Sequence, residues 1–301
     1  MKKYFILIAV TLCLMIIIKL ILPKPLENKE TTESFWSKKT NTTNKFDLIA
    51  CGDSRTYRGI SSDVLNEINL ELSFINLGYS SAGLSDSYLD FVTSKLDPES
   101  KNKALIVGIS PHSFTKEAKK NEALNSYLEL SSFDKLRYQY LSPILKHFAP
   151  YKPINLIEGK RNVYLQDFND DGWVASNRVL TDSTYALSGY KKTFSNYKVT
   201  KKGMISTLNK LKEIASTDIT VIAFRIPTTE QMEMLEDSIS GFEENFIKNE
   251  LTKHSVIWLD FINVQFVSYD GSHLTERSAR KLSRHIGKKI NELYLSKSKL
   301  H

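Results

Sequence analysis

The segment Asp47-Leu48-Ile49-Ala50-Cys51-Gly52-Asp53-Ser54-Arg55 decides the fold class of this 301-residue chain. Its apolar run ends abruptly in Gly-Asp-Ser, which is the pattern of a buried strand followed by a turn. In an open α/β sheet, ligands and reacting groups collect at the carboxyl edge of the strands. Ser54 is therefore a candidate nucleophile, although Gly-Asp-Ser is also ordinary turn chemistry.

Apolar segments of strand length alternate with segments of helical periodicity after residue 46. Continuous apolar strands that alternate with helices indicate a parallel sheet covered by helices on both faces. We therefore expect one three-layer α/β/α domain of flavodoxin-like fold over residues 46–301. The predicted strands cover 46–51, 72–77, 104–109, 220–224 and 256–259, and the predicted helices cover about 61–70, 84–96, 200–214, 231–248 and 274–295.

The N-terminal segment has the order of an export signal, because basic residues precede a long apolar run. Two lysines lead into the run from Tyr4 to Leu22, which Lys19 alone interrupts. No small-x-small cleavage site follows, which favours an uncleaved transmembrane anchor over 4–23 against a cleaved signal peptide or a buried core helix. Positive charge before the span predicts a cytoplasmic tip at residues 1–3. The main domain would then lie outside the cytoplasm of a bacterium, on a single-pass anchor in its cytoplasmic membrane.

Two stretches of the chain lack regular periodicity. Residues 24–45 are polar and are interpreted as a tether between membrane and domain. Residues 112–198 form an insertion, which is either a lid or substrate-binding element or a structural excursion with small helices. Within it, Asp167–Trp173 is similar to the start of a calcium loop, but Arg178 stands where a bidentate carboxylate is required. The sequence therefore predicts a polar turn there and no metal site.

The charge of the chain argues against a nucleic-acid partner. The formal net charge is +7, and four lysines fall within the first 24 residues, where no acidic residue offsets them, which leaves +3 for the remainder. The other basic excess lies near the C-terminus at helical spacing, which is typical of a solvated helix face. A balance this small is not the electrostatic footprint of a nucleic-acid-binding protein.

Asp270 and His273 supply the chemistry that a serine nucleophile lacks. They lie three residues apart, just before the last predicted helix, where one short turn can present both side chains to the same sheet edge. A serine hydroxyl is a poor nucleophile until a neutral imidazole takes its proton, and the imidazole needs an acid to fix its tautomer. An isolated Asp-x-x-His is more often a capping aspartate beside a surface histidine. Together with Ser54, this pair becomes a candidate triad.

The order of these blocks resembles the SGNH (GDSL-type) hydrolase superfamily. Gly-Asp-Ser closes the first strand, Asn-Leu-Gly closes the second, and Asp-x-x-His precedes the final helix. The resemblance implies a nucleophilic Ser54 and a triad completed by Asp270 and His273. It also implies that the backbone N–H groups of Ser54 and Gly78 receive the oxyanion. In the third block, Ser110 stands where the family usually has an oxyanion-binding asparagine.

The third block and the apolar N-terminus are also similar to a membrane-anchored branch of that superfamily. Its members move D-alanyl or acetyl groups on cell-envelope polymers, as in teichoic acid D-alanylation and alginate O-acetylation. The resemblance implies a serine esterase or O-acyltransferase without a cofactor, whose partners are an acylated envelope polysaccharide or related polymer, the membrane and envelope-assembly proteins. Three residues are expected to bind substrate: Arg55, His112 and Arg225. Arg55 and Arg225 follow predicted strand ends, and each guanidinium could either bind a carboxylate or phosphate of the substrate or pair with a nearby acid.

A second hypothesis comes from the residue missing in the third block. Loss of one oxyanion donor can cost ~10²–10³ in rate. A chain without the asparagine could therefore be a catalytically weak or inactive envelope-binding or scaffold protein on the same fold.

Overall fold

The computed structural model describes residues 2–21, 32–68, 71–145, 164–178 and 181–298. Parts of the predicted organisation lie outside these residues: residue 1 of the cytoplasmic tip, 22–23 of the anchor, 24–31 of the tether, 69–70 of a predicted helix, 146–163 and 179–180 of the insertion, and 299–301 of the domain. The structure has a five-stranded sheet and a separate two-stranded hairpin. The strands are β1 Leu48–Gly52, β2 Phe74–Asn76, β3 Ala104–Ile109, β4 Tyr164–Phe168, β5 Val174–Arg178, β6 Thr220–Arg225 and β7 Ile257–Trp258.

Helices flank the sheet and fill the connections. The first nine α-helices are α1 Lys2–Ile21, α2 Thr32–Asn41, α3 Ser54–Gly59, α4 Ser62–Ile68, α5 Asp86–Thr93, α6 Lys116–Lys120, α7 Glu122–Leu128, α8 Ser132–Leu136 and α9 Ser142–Leu145. They are followed by α10 Thr184–Asn196, α11 Lys201–Ala215, α12 Glu230–Ile239, α13 Glu244–Thr252 and α14 Glu276–Ser298. A 3₁₀ turn, Pro111–Phe114, and a π-helical turn, Arg137–Leu141, complete the elements.

The five-stranded sheet has the order β2-β1-β3-β6-β7, and every neighbouring pair is parallel. Ile49 in β1 faces Ile75 on one side and Leu105 on the other. The predicted α/β class with a central parallel sheet is thus confirmed. The chain leaves β1 toward one edge and later returns to its other side, so β1 and β3 border the crevice where such sheets place their ligands.

Two apolar cores, one on each face of the sheet, explain why the strands are apolar throughout. Alternate residues of a strand point to opposite faces. Ile49 and Cys51 therefore join the core beneath α5, α11 and α13, whereas Leu48 and Ala50 join the core beneath α4 and α14. Every residue of β1 and β3 is buried.

The single helix predicted over 231–248 is two helices in the structure. Helix α12 ends at Ile239 and α13 begins at Glu244. Between them Gly241 adopts φ +78°, a left-handed conformation that glycine reaches without strain. The helical periodicity continues across the break, so the pattern alone does not reveal it.

The prediction of a polar tether is wrong for residues 32–41, which form α2 and pack on the domain. Phe35 and Trp36 are buried, and the Trp36 ring lies 4.5 Å from Tyr79 and 5.2 Å from Tyr57, centroid to centroid. Lys39 is also buried, and its ammonium donates to the carbonyl of Gly172 at 2.8 Å. Two large aromatic side chains in a short polar segment are enough to dock it, because each buries a large apolar area.

The described part of the insertion contains short helices, the β4–β5 hairpin and α10. The polar turn predicted before Trp173 forms the tip of the hairpin. Trp173 itself is buried, and its indole N–H donates to the carbonyl of Arg58 at 3.1 Å. The hairpin is thus fastened to α3, the helix that begins at the candidate nucleophile.

Residues 2–21 form α1, whose apolar side chains are exposed from Tyr4 to Ile17 at most positions. Among the helices in the described ranges, none has both the length and the apolarity needed to cross a bilayer. The predicted anchor, 4–23, extends beyond the end of α1 into residues outside those ranges.

Candidate active site

The turn after β1 places Ser54 at the first position of α3. The carboxylate of Asp53 caps this helix by accepting the N–H of Arg55 at 2.9 Å. Gly52 approaches β3 so closely that a Cβ atom would lie 2.5 Å from the carbonyl oxygen of Gly108. Glycine is required there for that reason. The backbone N–H of Ser54, at the start of the helix, has no intrahelical acceptor and is available to a ligand.

The structure brings Ser54, His273 and Asp270 together in the geometry of a catalytic triad. Ser54 Oγ lies 2.8 Å from His273 Nε2, and His273 Nδ1 lies 2.7 Å from Asp270 Oδ2. These distances are within hydrogen-bond reach at both steps. The carboxylate can therefore hold the proton on Nδ1 and leave Nε2 as the acceptor for the serine proton.

The loop before α14 fixes the acid and the base relative to each other. Asp270 Oδ1 accepts two backbone N–H groups, from Ser272 at 2.9 Å and from His273 at 2.7 Å. The hydroxyl of Ser268 donates to the carbonyl of His273 at 2.7 Å. Both carboxylate oxygens of Asp270 are thus occupied, one by the loop and one by the imidazole.

The surroundings shift the pKa values of acid and base toward the forms that catalysis needs. Burial lowers the pKa of His273 below 6.5, the charges of Arg58 and Arg55 lower it further, and Asp270 opposes them. Burial alone would raise the pKa of the Asp270 carboxyl, but its hydrogen bonds from His273 and the loop hold it well below its ordinary value. At neutral pH the imidazole is neutral and the carboxylate is charged.

Arg55 does not line the pocket over Ser54, so its prediction as a substrate-binding residue is wrong, and the structure has the alternative, a pair with a nearby acid. Its side chain is fully buried and pairs with Glu236 Oε1 at 2.5 Å. Its Nε donates to the hydroxyl of Ser272 at 2.9 Å, and its guanidinium lies 4.9 Å from the ring centre of Tyr190. Arg55 therefore ties the nucleophile turn to the loop that carries Asp270.

Arg225 likewise does not line the pocket beside Ser54. It pairs with the other carboxylate oxygen of Glu236 at 3.0 Å and with Asp237 and Glu244, each at 2.9 Å. It lines a separate cavity of about 400 Å³ at the ends of β6 and β7. Arg225 lies at a strand end, as predicted. Its side chain pairs with three acidic residues, so it is part of an ion-pair network and its prediction as a substrate-binding residue at Ser54 is wrong.

Two of the three expected oxyanion donors are engaged elsewhere. The N–H of Gly78 donates to Asn76 Oδ1 at 3.0 Å. The hydroxyl of Ser110 is buried and donates to Asp53 Oδ2 at 2.5 Å. A hydroxyl has one proton to give, so in this structure Ser110 serves the cap of α3. The third expected oxyanion donor is the backbone N–H of Ser54, which has no acceptor within its helix and is available to a ligand.

A pocket of about 550 Å³ opens over Ser54 and His273. His112, predicted as a substrate-binding residue, lines it. Helix α10, from the insertion, forms one wall, which favours the interpretation of the insertion as a substrate-binding element. Other lining residues include Asp53, Ser81, Arg178, Tyr185 and Tyr190.

Sequence reasoning missed Glu236 and Tyr190. Glu236 follows the buried Met232 by one helical turn, so an acidic residue at a core-facing position of α12 was the available signal. Tyr190 and Phe194 occur at helical spacing in a stretch treated as irregular, and their rings stack 5.9 Å apart. Within the described ranges, no group of three or more histidine, cysteine, aspartate or glutamate side chains could hold a metal ion.

Comparison with known proteins gives structural similarity alone. No family model and no curated protein matches the chain. A carbohydrate acetylesterase from Sinorhizobium meliloti aligns with a TM-score of 0.41, and an aryl esterase from M. smegmatis with 0.38 in its native form and 0.36 in its inhibitor-bound form. Each is 11% identical, with 82% of this chain and 99% of the other covered. Similarities this remote carry no argument about function.

Replacement of Arg58 by Gln will move the acid limb of the pH–rate profile to higher pH. The positive charge of Arg58 lowers the pKa of His273, and only the neutral imidazole can accept the serine proton. In the wild type the rate should therefore fall only below pH 6.5. The measurement is kcat/KM for a soluble acetate ester between pH 4 and 9. Tyr269→Phe is the control, because it removes the hydrogen bond that Arg58 makes to Tyr269 and leaves the charge. An equal shift in both variants would contradict the electrostatic explanation.

Replacement of Glu236 by Gln will destabilise the fold by about 3–5 kcal/mol, because it leaves two buried guanidinium groups without their shared counter-charge. Because Arg55 also holds Ser272, we expect kcat to fall with little change in KM. Urea unfolding and steady-state kinetics measure the two effects. Asp237→Asn is the matched control: Asp237 is largely exposed and should contribute under ~1 kcal/mol. Equal losses in the two variants would refute the assigned role of Glu236.

Proposed function

We propose that this protein is a serine esterase or O-acyltransferase that acts on acyl esters of cell-envelope glycopolymers. One observation carries the proposal: Ser54, His273 and Asp270 form a continuous hydrogen-bonded chain, with steps of 2.8 Å and 2.7 Å, at a pocket of about 550 Å³. A neutral, buried imidazole between a hydroxyl and a carboxylate is the arrangement that acyl transfer requires.

The reaction proceeds through an acyl-enzyme. Ser54 Oγ attacks the ester carbonyl carbon while its proton passes to His273 Nε2, and the carbonyl oxygen becomes an oxyanion. When the tetrahedral intermediate collapses, the C–O bond to the alcohol breaks and His273 returns the proton to that alcohol. A water, deprotonated by the same imidazole, then releases the acid and restores Ser54. If a polymer hydroxyl replaces the water, the product is a new ester.

The oxyanion is held by the N–H of Ser54 and by His112 in this proposal. His112 lines the pocket, and burial lowers its pKa below 6.5, with Arg55 adding to the shift and Asp53 opposing it. A neutral imidazole keeps one N–H to donate. His112 would thus replace the amide donor that the third block lacks.

A second candidate function is a catalytically weak or inactive envelope-binding or scaffold protein. The observation that favours it is the engagement of Gly78 N–H with Asn76 and of Ser110 with Asp53, which removes two of the expected oxyanion donors. The intact triad geometry favours the enzyme, because a scaffold has no need of a hydrogen-bonded serine and histidine.

We also propose that the chain is held at the outer face of the bacterial cytoplasmic membrane, where envelope-assembly proteins would be its partners. One support is α1, whose apolar side chains are exposed. Another is a second strip of exposed apolar side chains, on the part of the insertion that packs on α2. Its members Phe133, Leu136, Tyr140 and Ile144 are all more than half exposed and recur at helical spacing.

A basic side chain, Lys135, lies in the same helical segment as the second apolar strip. Burial lowers the pKa of Lys95, and the like charges of Lys45 and Lys135 lower it further. Apolar and basic groups side by side match the interface of a membrane that contains anionic lipids. The helical segment that carries this surface packs on α2. Because only ten residues separate α2 from α1, both apolar surfaces belong to connected parts of the chain.

Replacement of Ser54 by Ala will abolish covalent labelling by a fluorophosphonate probe and lower aryl acetate turnover by at least ~10³-fold, because the nucleophile is lost. Gel fluorescence measures the labelling, and release of nitrophenol from nitrophenyl acetate measures the turnover. Ser81→Ala, at another serine that lines the pocket, should label like the wild type. Equal labelling of wild type and Ser54→Ala would contradict the nucleophile assignment. Absence of both labelling and turnover in the wild type would favour the scaffold function.

The full-length chain will stay with lipid vesicles through an alkaline carbonate wash. Lysine in place of Ile8 and Leu12 together should release it, since each charge in an apolar span costs about 2.5–3.5 kcal/mol. Sedimentation followed by immunoblotting measures the partition. Met234→Lys is the control, because Met234 is an exposed apolar residue on the domain. Release of the wild type by the wash would refute attachment through α1.

A further inference from the structure

One face of helix α10 forms a wall of the catalytic pocket. Its lining positions are 185, 186, 189, 190 and 193, which follow the helical repeat. Tyr190 fixes this wall to the active site: its hydroxyl accepts a hydrogen bond from Ser272 at 3.2 Å, and its ring lies beneath the guanidinium of Arg55. The wall is therefore held at a constant position relative to Ser54.

Gly189 lies in the interior of this helix, and no packing requirement explains it. A Cβ atom at Gly189 would have no neighbour within 4 Å, which holds for no other glycine in the described ranges. Two other helical glycines avoid close contacts: a Cβ at Gly287 would lie 3.0 Å from Ile68, and one at Gly203 would lie 3.1 Å from Thr200. Glycine in a helix interior is destabilising relative to alanine. The chain thus keeps a destabilising residue where its own described atoms leave the space open.

The empty space at Gly189 faces the pocket, beside an aromatic ring. Tyr185, one turn earlier on the same face, is 83% exposed. Gly189 and Tyr185 therefore both line the pocket, one with bare helix backbone and the other with an exposed ring, and the space over Gly189 beside that ring is named the slot. Polar groups of Arg178, Asp182 and Thr193 line the same pocket. Aromatic surface combined with several convergent polar groups suits a hydroxylated ring, which has apolar C–H faces and a polar edge.

We propose that α10 carries the subsite for the alcohol part of the substrate, a sugar ring that lies over Gly189 against Tyr185. The absent side chain at Gly189 lets the ring approach the helix backbone, a use for which glycine is suited. This inference rests on the proposed ester chemistry at Ser54. It adds the place where the sugar binds and the residues that select it.

Gly189→Ala tests the proposal because its effects on stability and activity should have opposite signs. The midpoint of urea unfolding should rise, since alanine is the better helix former and meets no neighbour. The value of kcat/KM for glucose 6-acetate should fall by at least ~10-fold, which is the usual effect of one methyl group in a binding pocket. For vinyl acetate, whose alcohol is too small to reach the slot, kcat/KM should stay within about two-fold. Proton release in a pH-stat follows both esters.

Two further variants isolate the roles of the ring and of the helix. Tyr185→Ala should raise KM for the sugar ester, and Tyr185→Phe should restore it, because the ring face is what the sugar contacts. Ser188 lies at an exposed position of α10 and does not line the pocket, so Ser188→Ala should leave kcat/KM unchanged for both esters.

Four results would overturn the subsite. One is a lower urea midpoint for Gly189→Ala, which would mean that the chain itself fills the space. Another is an equal fall in kcat/KM for both esters. Unchanged turnover of the sugar ester by Gly189→Ala would remove the subsite and leave the esterase intact. If the wild type hydrolyses neither ester, the proposed function fails and the subsite fails with it.

Discussion

The buried ion pair between Arg55 and Glu236 holds the active site together. Both side chains are fully buried, and Glu236 is shared with Arg225 at the end of β6. A buried charge must be paired, because an unpaired one is far more costly than the pair itself. Through Ser272, the same guanidinium fixes the loop that carries Asp270 and His273. One charge centre thus joins α3, α12, β6 and the loop before α14, which are distant in sequence.

This network also contributes to the chemistry of the triad. The nearby positive charges of Arg58 and Arg55 favour a neutral His273, in the same direction as burial. Asp270 works against them and prevents the imidazole from becoming too weak a base. The balance keeps Nε2 free to accept a proton at neutral pH, while the carboxylate remains charged. Arg55 and Asp270 therefore act both on the placement of the base and on its pKa, whereas Arg58 acts on the pKa.

The sequence predicted the sheet and the triad but not the surroundings of the triad. Apolar runs that end in turns determine where strands lie, and strand ends then bring Ser54 near His273. The docking of α2 depends on Phe35 and Trp36 finding a partner surface, which periodicity does not show. Arg55 and Arg225 were placed at strand ends, but the sequence could not show that both guanidinium groups turn inward to Glu236.

In the third block, Ser110 occupies the expected position at the strand end but makes a different hydrogen bond from the one expected. Ser110 lies at the end of β3, beside the nucleophile turn, but its hydroxyl donates to Asp53, the residue that caps α3. The cap holds Ser54 at the helix start, so Ser110 supports the nucleophile and not the oxyanion. In the proposed reaction, the oxyanion is then left to the N–H of Ser54 and to His112, which lines the same pocket. An esterase on this fold therefore depends on those two donors, because the triad geometry alone would be the same in a scaffold.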